Sequence, residues 1–235
     1  MIIGISGRIG SGKDTVGKIV QYLTSDYYYP GYSFDRFLQT RHSFDQFLKK
    51  QNPEWNPPHS GWEVVRFGDK LKQIASLLTG IPVRKFEDQE FKKSYLGEEW
   101  NKLIPYIPQD DDRPITKEDA TKTTVREFLQ NLGTEAIRTS LHPDAWVNAL
   151  FSDYESDYSK WVITDVRFLN EVKRIKENGG VLIRVEREDS IKSEHISETE
   201  LLDYNGWDYK ISNNSSIEDL ISQVENILIS AKLGA

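Results

Sequence analysis

The strongest constraint on this chain is a glycine-rich turn, GISGRIGSGKDT over residues 4–15, set between two stretches of different periodicity. Before it, Ile2-Ile3 opens a β-branched run that ends at Ser6. After it, Val16, Ile19, Val20 and Leu23 recur on one stripe of a helix spanning Lys13 to Leu23. Gly4, Gly7, Gly10 and Gly12 each cost backbone entropy on folding, so their density implies a backbone that something must approach closely. Gly7 to Lys13 fits G-x-x-x-x-G-K, with Gly10 and Ser11 inside it. In a strand–turn–helix setting, successive amides of such a turn point at a polyphosphate. The helix N-terminus adds partial positive charge, and the Lys13 ammonium reaches the β and γ phosphates. ATP is the expected donor. The pattern calls for Ser or Thr after the lysine as a Mg2+ ligand, but Asp14 stands there and Thr15 follows. The metal is therefore expected on Thr15, on Asp14 through water, or on both.

The rest of the chain fits around that unit. Four further apolar runs read as strands: Glu63 to Phe67, Trp161 to Thr164, Val181 to Val185 and Trp207 to Ile211. Several are nearly continuous rather than alternating, which suits a parallel sheet covered on both faces. Helical patterns intervene at Asn170 to Asn178, stopped by Gly179-Gly180, and at Ser216 to Leu233, opened by a serine cap. The expectation is a single α/β domain over 1–235, in three layers with a five-stranded parallel sheet. Two intervals interrupt it. Residues 26–62 are rich in tyrosine, phenylalanine and proline, and read as an insertion that packs on the body, shapes an acceptor pocket or makes a homodimer contact. Residues 69–159 are mostly helical by pattern, with a charged break at QDDDRP.

Composition excludes whole classes of function. The net charge of -7 argues against binding polymeric nucleic acid through bulk electrostatics, though not against a substrate with a few phosphates. With no cysteine, thiol nucleophiles, thiolate metal sites and disulfides are ruled out, and a reducing cytoplasm is compatible. No apolar run approaches the roughly 20 residues of a membrane span, and MIIGIS lacks the basic start of a signal peptide.

A donor site needs an acceptor, and three stretches offer one. In RFGDKLK, Arg66 to Lys72, a basic residue opens a helix; the stretch looks like the T-G-D-x-L-R of adenylate kinase, with Lys72 in the arginine's place and Asp69 as either ligand or helix cap. In TVREFLQNLGTEAIR, Arg126 and Gln130 are four apart and share a helix face, with Arg138 beyond an expected break at Gly133. Arginine can fork a phosphate, and glutamine offers donor and acceptor to a base edge. In VITDVRFLNE, Asp165 leaves a buried strand at its carboxyl end, where α/β sheets place ligands. A carboxylate there suits magnesium through water, and Arg167 can neutralise the transferring phosphoryl group.

Taken together, GxxGSGKDT, FGDKLK, R-x-x-L-Q-x-L-G-T-E, D-A-W, D-V-R-F-x-N-E, S-E-H-x-S-E and I-S-N-N-S-S resemble the deoxynucleoside monophosphate kinases of bacteriophages. The likeness runs from residue 1 to about 228, apart from 26–62. It implies an adenylate-kinase-like fold and transfer of the ATP γ-phosphoryl group to a deoxynucleoside 5′-monophosphate. It also implies that Trp146, in D-A-W, belongs to the monophosphate side and that Asn213 lies near the adenine. By analogy with the lid of adenylate kinase, 186–203 is a lid-like segment that carries Arg187 over the phosphates. His195 is assigned no catalytic role, because an acceptor that is already an oxyanion needs little acid–base help. Two rival readings remain: a kinase for another small acceptor, of the dephospho-coenzyme A or phosphomevalonate type, and a nucleotide-binding regulator without turnover.

Overall fold

A computed structural model describes residues 1–24, 61–103, 120–190 and 195–233. In chain order the elements are β1 (Ile2–Ser6), α1 (Lys13–Leu23), β2 (Glu63–Val65), α2 (Gly68–Thr79), α3 (Gln89–Lys93), β3 (Lys102–Leu103), β4 (Ala120–Thr121) and α4 (Val125–Gln130). They continue with α5 (Ala145–Phe151), β5 (Trp161–Ile163), α6 (Leu169–Glu177), β6 (Val181–Glu186), α7 (Ile196–Thr199), β7 (Tyr209–Ser212) and α8 (Ile217–Ser230). Two compact units result: residues 1–67 with 150–235, and residues 68–149. The aromatic stretch 26–62, except Gly61 and Trp62, and the QDDDRP break lie outside the described residues.

The first unit is built on a five-stranded sheet in the order β2-β5-β1-β6-β7, every pairing parallel. This is the expected architecture. Ile2 lies opposite Trp161, and Ile3 opposite Val181, so β1 is central. The turn after it opens at the middle of the carboxyl edge, where the strand order reverses and ligands bind in open α/β sheets. On one face, Ile3, Ile5, Val162 and Ile183 pack with Val16, Ile19 and Val20 of α1 and with Leu220, Ile221 and Val224 of α8. On the other, a Cβ at Gly4 would come within 2.8 Å of Ile175 Cδ1, so α6 lies tight against the sheet. Burial of each such side chain contributes about 1.5–3 kcal/mol. α1 is equally close: a Cβ at Gly17 would meet Thr164 Cγ2 at 2.6 Å.

Element ends shift where side chains compete for the backbone. β2 stops at Val65 rather than Phe67, because the Phe67 amide donates to Asp165 Oδ1 at 2.9 Å. β7 begins at Tyr209, and Trp207 instead offers its ring to the Arg184 guanidinium, 5.5 Å from the centroid. Gly179 stops α6 with φ +69°, and Ser216 caps α8 by accepting from the Asp219 amide at 3.2 Å.

The second unit has its own small core of Ala75, Phe86 and Val125, with Phe91, Leu96, Phe128, Leu129 and Leu132 against it. Besides helices it contains 3-10 turns at Val83–Glu87 and Glu98–Trp100, and an antiparallel β3–β4 ribbon. Thr124 and Glu127 close a capping box at the start of α4. The break expected at Gly133 does not occur. The helix widens into a π-helix over Asn131–Thr139 and runs through it. Glycine serves close packing there rather than a stop: a Cβ would sit 3.0 Å from Leu71 Cδ2. Among the described residues no helix is long and apolar enough to cross a membrane.

Candidate active site

The turn between β1 and α1 is shaped to receive an anion. Gly10 and Gly12 adopt φ of +81° and +97°, a region closed to most side chains. A Cβ on Gly7 would lie 2.5 Å from both Ser11 Oγ and the Val185 carbonyl oxygen. α1 begins at Gly12 without a side-chain cap, which leaves its first amides for a ligand. Ser11 Oγ is buried and has no hydrogen-bond partner among the described residues. Lys13 Nζ folds back to donate to the Gly7 and Arg8 carbonyls, at 2.6 and 2.8 Å. Burial first, then the Arg167 and Arg184 charges, bring its pKa down to about 8, with Asp14 and Asp165 opposing. A polyphosphate supplies what this turn lacks: negative charge beside a desolvated ammonium and an acceptor for idle donors.

Beside the turn, the residues that stand where a metal-binding hydroxyl is usual are already organised. Asp14 Oδ1 accepts from Arg66 Nη2 at 3.1 Å and from Thr164 Oγ1 at 2.8 Å. Burial alone would raise the Asp14 pKa, but Arg66, the Thr164 hydroxyl and Lys13 outweigh it and hold the carboxyl below its ordinary value. Thr15 follows in the first turn of α1, half-buried. Asp165 sits just past β5 with one oxygen on the Phe67 amide, and its charge reaches Lys13. Hydroxyl and carboxylate oxygens are the donors a hard cation takes. Among the described residues no group of three or more His, Cys, Asp or Glu side chains forms a metal cage.

Arg167 pairs with Glu198 of α7, a side chain only 5% exposed. The Arg167 and Phe168 amides donate to Glu171 Oε2 at 2.7 and 3.1 Å. Arg184, on β6, donates to Ser6 Oγ at 3.0 Å and bears on Lys13. Arg187 is exposed in the turn after β6. His195 caps α7, its Nδ1 accepting from the Ser197 amide at 3.2 Å. Asn213 Nδ2 donates to the Ser11 carbonyl at 2.8 Å, so this residue braces the phosphate turn itself. Lys13, Asp14, Thr15, Asp165, Arg167 and Asn213 thus gather around one turn.

In the second unit, Lys72 is buried between two carboxylates, Glu87 Oε1 at 2.7 Å and Asp69 Oδ1 at 3.2 Å. Arg126 Nη2 donates to Gln89 Oε1 at 3.1 Å, and Gln130 ends the same helix four residues on. Arg138 Nη1 donates to the Pro143 carbonyl at 3.1 Å. Trp146 is buried, its indole N–H on the Gly133 carbonyl at 2.8 Å. Arg66, Thr164 and Glu198 are partners that sequence reasoning did not single out for a role. Glu198 at least lies in the S-E-H-x-S-E element, but nothing local shows that it faces Arg167.

A glycine-rich phosphate turn after the first strand, in a parallel sheet whose strands run 2-3-1-4-5, is the arrangement of P-loop kinases. The chain belongs to the deoxynucleotide monophosphate kinase family, whose model matches residues 76–224. It is 27% identical over 222 residues to the deoxynucleoside-5′-monophosphate kinase of Escherichia phage T5, a match covering 85% of this chain and 84% of that one. It is 29% identical over 146 residues to the deoxynucleotide monophosphate kinase of Enterobacteria phage T4, covering 60% and 56%. A putative deoxynucleotide monophosphate kinase of Acanthamoeba polyphaga mimivirus is 34% identical over 116 residues, covering 43% and 59%.

Proposed function

We infer that the chain transfers the γ-phosphoryl group of ATP to a deoxynucleoside 5′-monophosphate, giving ADP and the deoxynucleoside diphosphate. The observation that carries this reading is the phosphate turn, uncapped and lysine-bearing, in a chain of this family. An oxygen of the acceptor phosphate attacks the γ-phosphorus, and the bond to the β–γ bridging oxygen breaks. Because the nucleophile is already an anion, the protein's work is positioning and charge neutralisation.

The donor side draws on Gly7, Gly10, Ser11, Gly12 and Lys13, with Asn213 supporting the turn. Arg167 neutralises charge on the transferring group, and Arg187, exposed in the turn after β6, is the cation that reaches over the phosphates. Thr15 and Asp165 would hold Mg2+, which would supply charge neutralisation to the transferring phosphate. Asp14 is already committed to Arg66 and Thr164 and acts through water. For the acceptor, Arg126 and Gln130 offer a guanidinium fork and an amide on one helix face. Asp69, Lys72, Arg138 and Trp146 complete that assignment.

An ADP-coupled assay with each of the four deoxynucleoside monophosphates tests the reading, with dephospho-coenzyme A and phosphomevalonate as competing acceptors. Turnover with at least one deoxynucleotide and neither alternative is expected. Turnover only with an alternative acceptor, or ATP binding without turnover, would replace this reading with one of its rivals. Light scattering tests the homodimer proposed for 26–62, and the assigned substrates suit a cytoplasmic setting.

A further inference from the structure

We propose that Glu198 is a positioning residue for phosphoryl transfer, a nearly buried carboxylate that holds the Arg167 guanidinium in its working orientation at the phosphate turn. The proposal rests on the assignment of Arg167 to the transferring group. Arg167 is fixed at both ends. Its amide, with that of Phe168, donates to the buried Glu171 carboxylate, while its guanidinium pairs with Glu198. The segment that carries Glu198 is itself moored to the same loop, because Glu200 Oε1 accepts from the Leu169 amide at 2.8 Å. Residues 195–200 and 167–169 therefore form one clasped piece.

Charge explains why a carboxylate is needed there. The Arg167 guanidinium lies close enough to Lys13 to disfavour its ammonium, and Arg184 does the same. Three cations around one turn repel one another until a polyphosphate arrives. A carboxylate 5% exposed is weakly screened, so Glu198 offsets that repulsion and keeps Arg167, itself 33% exposed, from swinging into water. A guanidinium has five N–H donors in a rigid fork, so the edge turned to Glu198 leaves others for phosphate oxygens.

Steady-state kinetics on Glu198→Ala, Glu198→Gln, Arg167→Ala and the double variant test this. Glu198→Ala is expected to lower kcat by about 10–100-fold, the scale seen when an orienting partner is removed, with KM for both substrates moved far less. Glu198→Gln, which keeps a hydrogen bond but no charge, should fall between it and the parent. In an Arg167→Ala background, Glu198→Ala should cause no further loss, a result that a merely structural role would not produce. An unchanged or raised kcat in Glu198→Ala beside an impaired Arg167→Ala would overturn the proposal and make Glu198 a latch; so would multiplicative losses in the double variant. Full activity in Arg167→Ala would instead overturn the underlying assignment. Should Glu198→Ala not fold, Glu198→Gln decides: reduced kcat at an unaltered Tm supports the proposal, and parental kcat refutes it.

Discussion

The side-chain amide of Asn213 donates to the Ser11 carbonyl at 2.8 Å, and it fills the space that a Cβ on Gly12 would occupy, 2.4 Å away. Its own backbone amide is held by the Glu186 carbonyl at 2.8 Å. The turn after β7 thus clamps the phosphate turn from outside. Asn213→Ala should weaken ATP binding by about 0.5–1.5 kcal/mol, the worth of one such hydrogen bond. Gly12→Ala, strained at φ +97° as well as crowded, should cost more. Calorimetric titration with ATP measures both; equal losses for ATP and for the monophosphate would remove the special link to the turn.

Lys13→Ala should reduce kcat by orders of magnitude, because a preorganised cation at the transferring phosphate is lost. The fold should survive, since among the described residues the ammonium donates only to two carbonyls of its own turn and its burial is unfavourable. Thermal unfolding beside the kinetics separates the two effects, and retained turnover would contradict the assignment.

Protonation of Lys13 gives a pH signature. In the free protein it titrates near 8, against an ordinary 10.5. Between those values the unfolded chain carries more protons on this group than the folded one, so its contribution to stability grows as pH rises through that window. Bound phosphates favour the charged amine and reverse the shift. ATP affinity should therefore weaken as pH passes 8, and binding at pH 8 should take up about half a proton. Titration calorimetry in two buffers of different ionisation enthalpy measures the uptake. It should vanish in Lys13→Arg, which stays charged throughout; the same uptake in both proteins would refute the linkage.

Arg126→Ala should raise KM for the monophosphate at least tenfold while changing KM for ATP little, on the scale of one lost charge-assisted contact. Comparable changes in both constants would move Arg126 out of the acceptor assignment.

What the sequence disclosed is what local periodicity encodes. The run Ile2–Ser6 and the helix Lys13–Leu23 match their observed bounds, because burial on both faces and a one-sided apolar stripe leave direct marks in spacing. The phosphate turn was legible for the same reason, since its chemistry lies in consecutive residues. Partnerships across the chain left no such mark. Asp14 meets Arg66 and Thr164, 52 and 150 residues away, and only the strand order brings them together. Gly133 misled because glycine signals both helix ends and close packing, and here Leu71 decided between them. Nor did any local signal show that Glu87, 15 residues on, joins Asp69 in holding Lys72.

With no side chain at Gly17, α1 rests directly on Thr164, and no spacer separates the helix that bears Lys13 from the strand end that bears Asp165. For anyone retooling this enzyme, that seam is a fixed datum. One methyl group there would push helix and strand end apart, so any redesign has to leave this position bare.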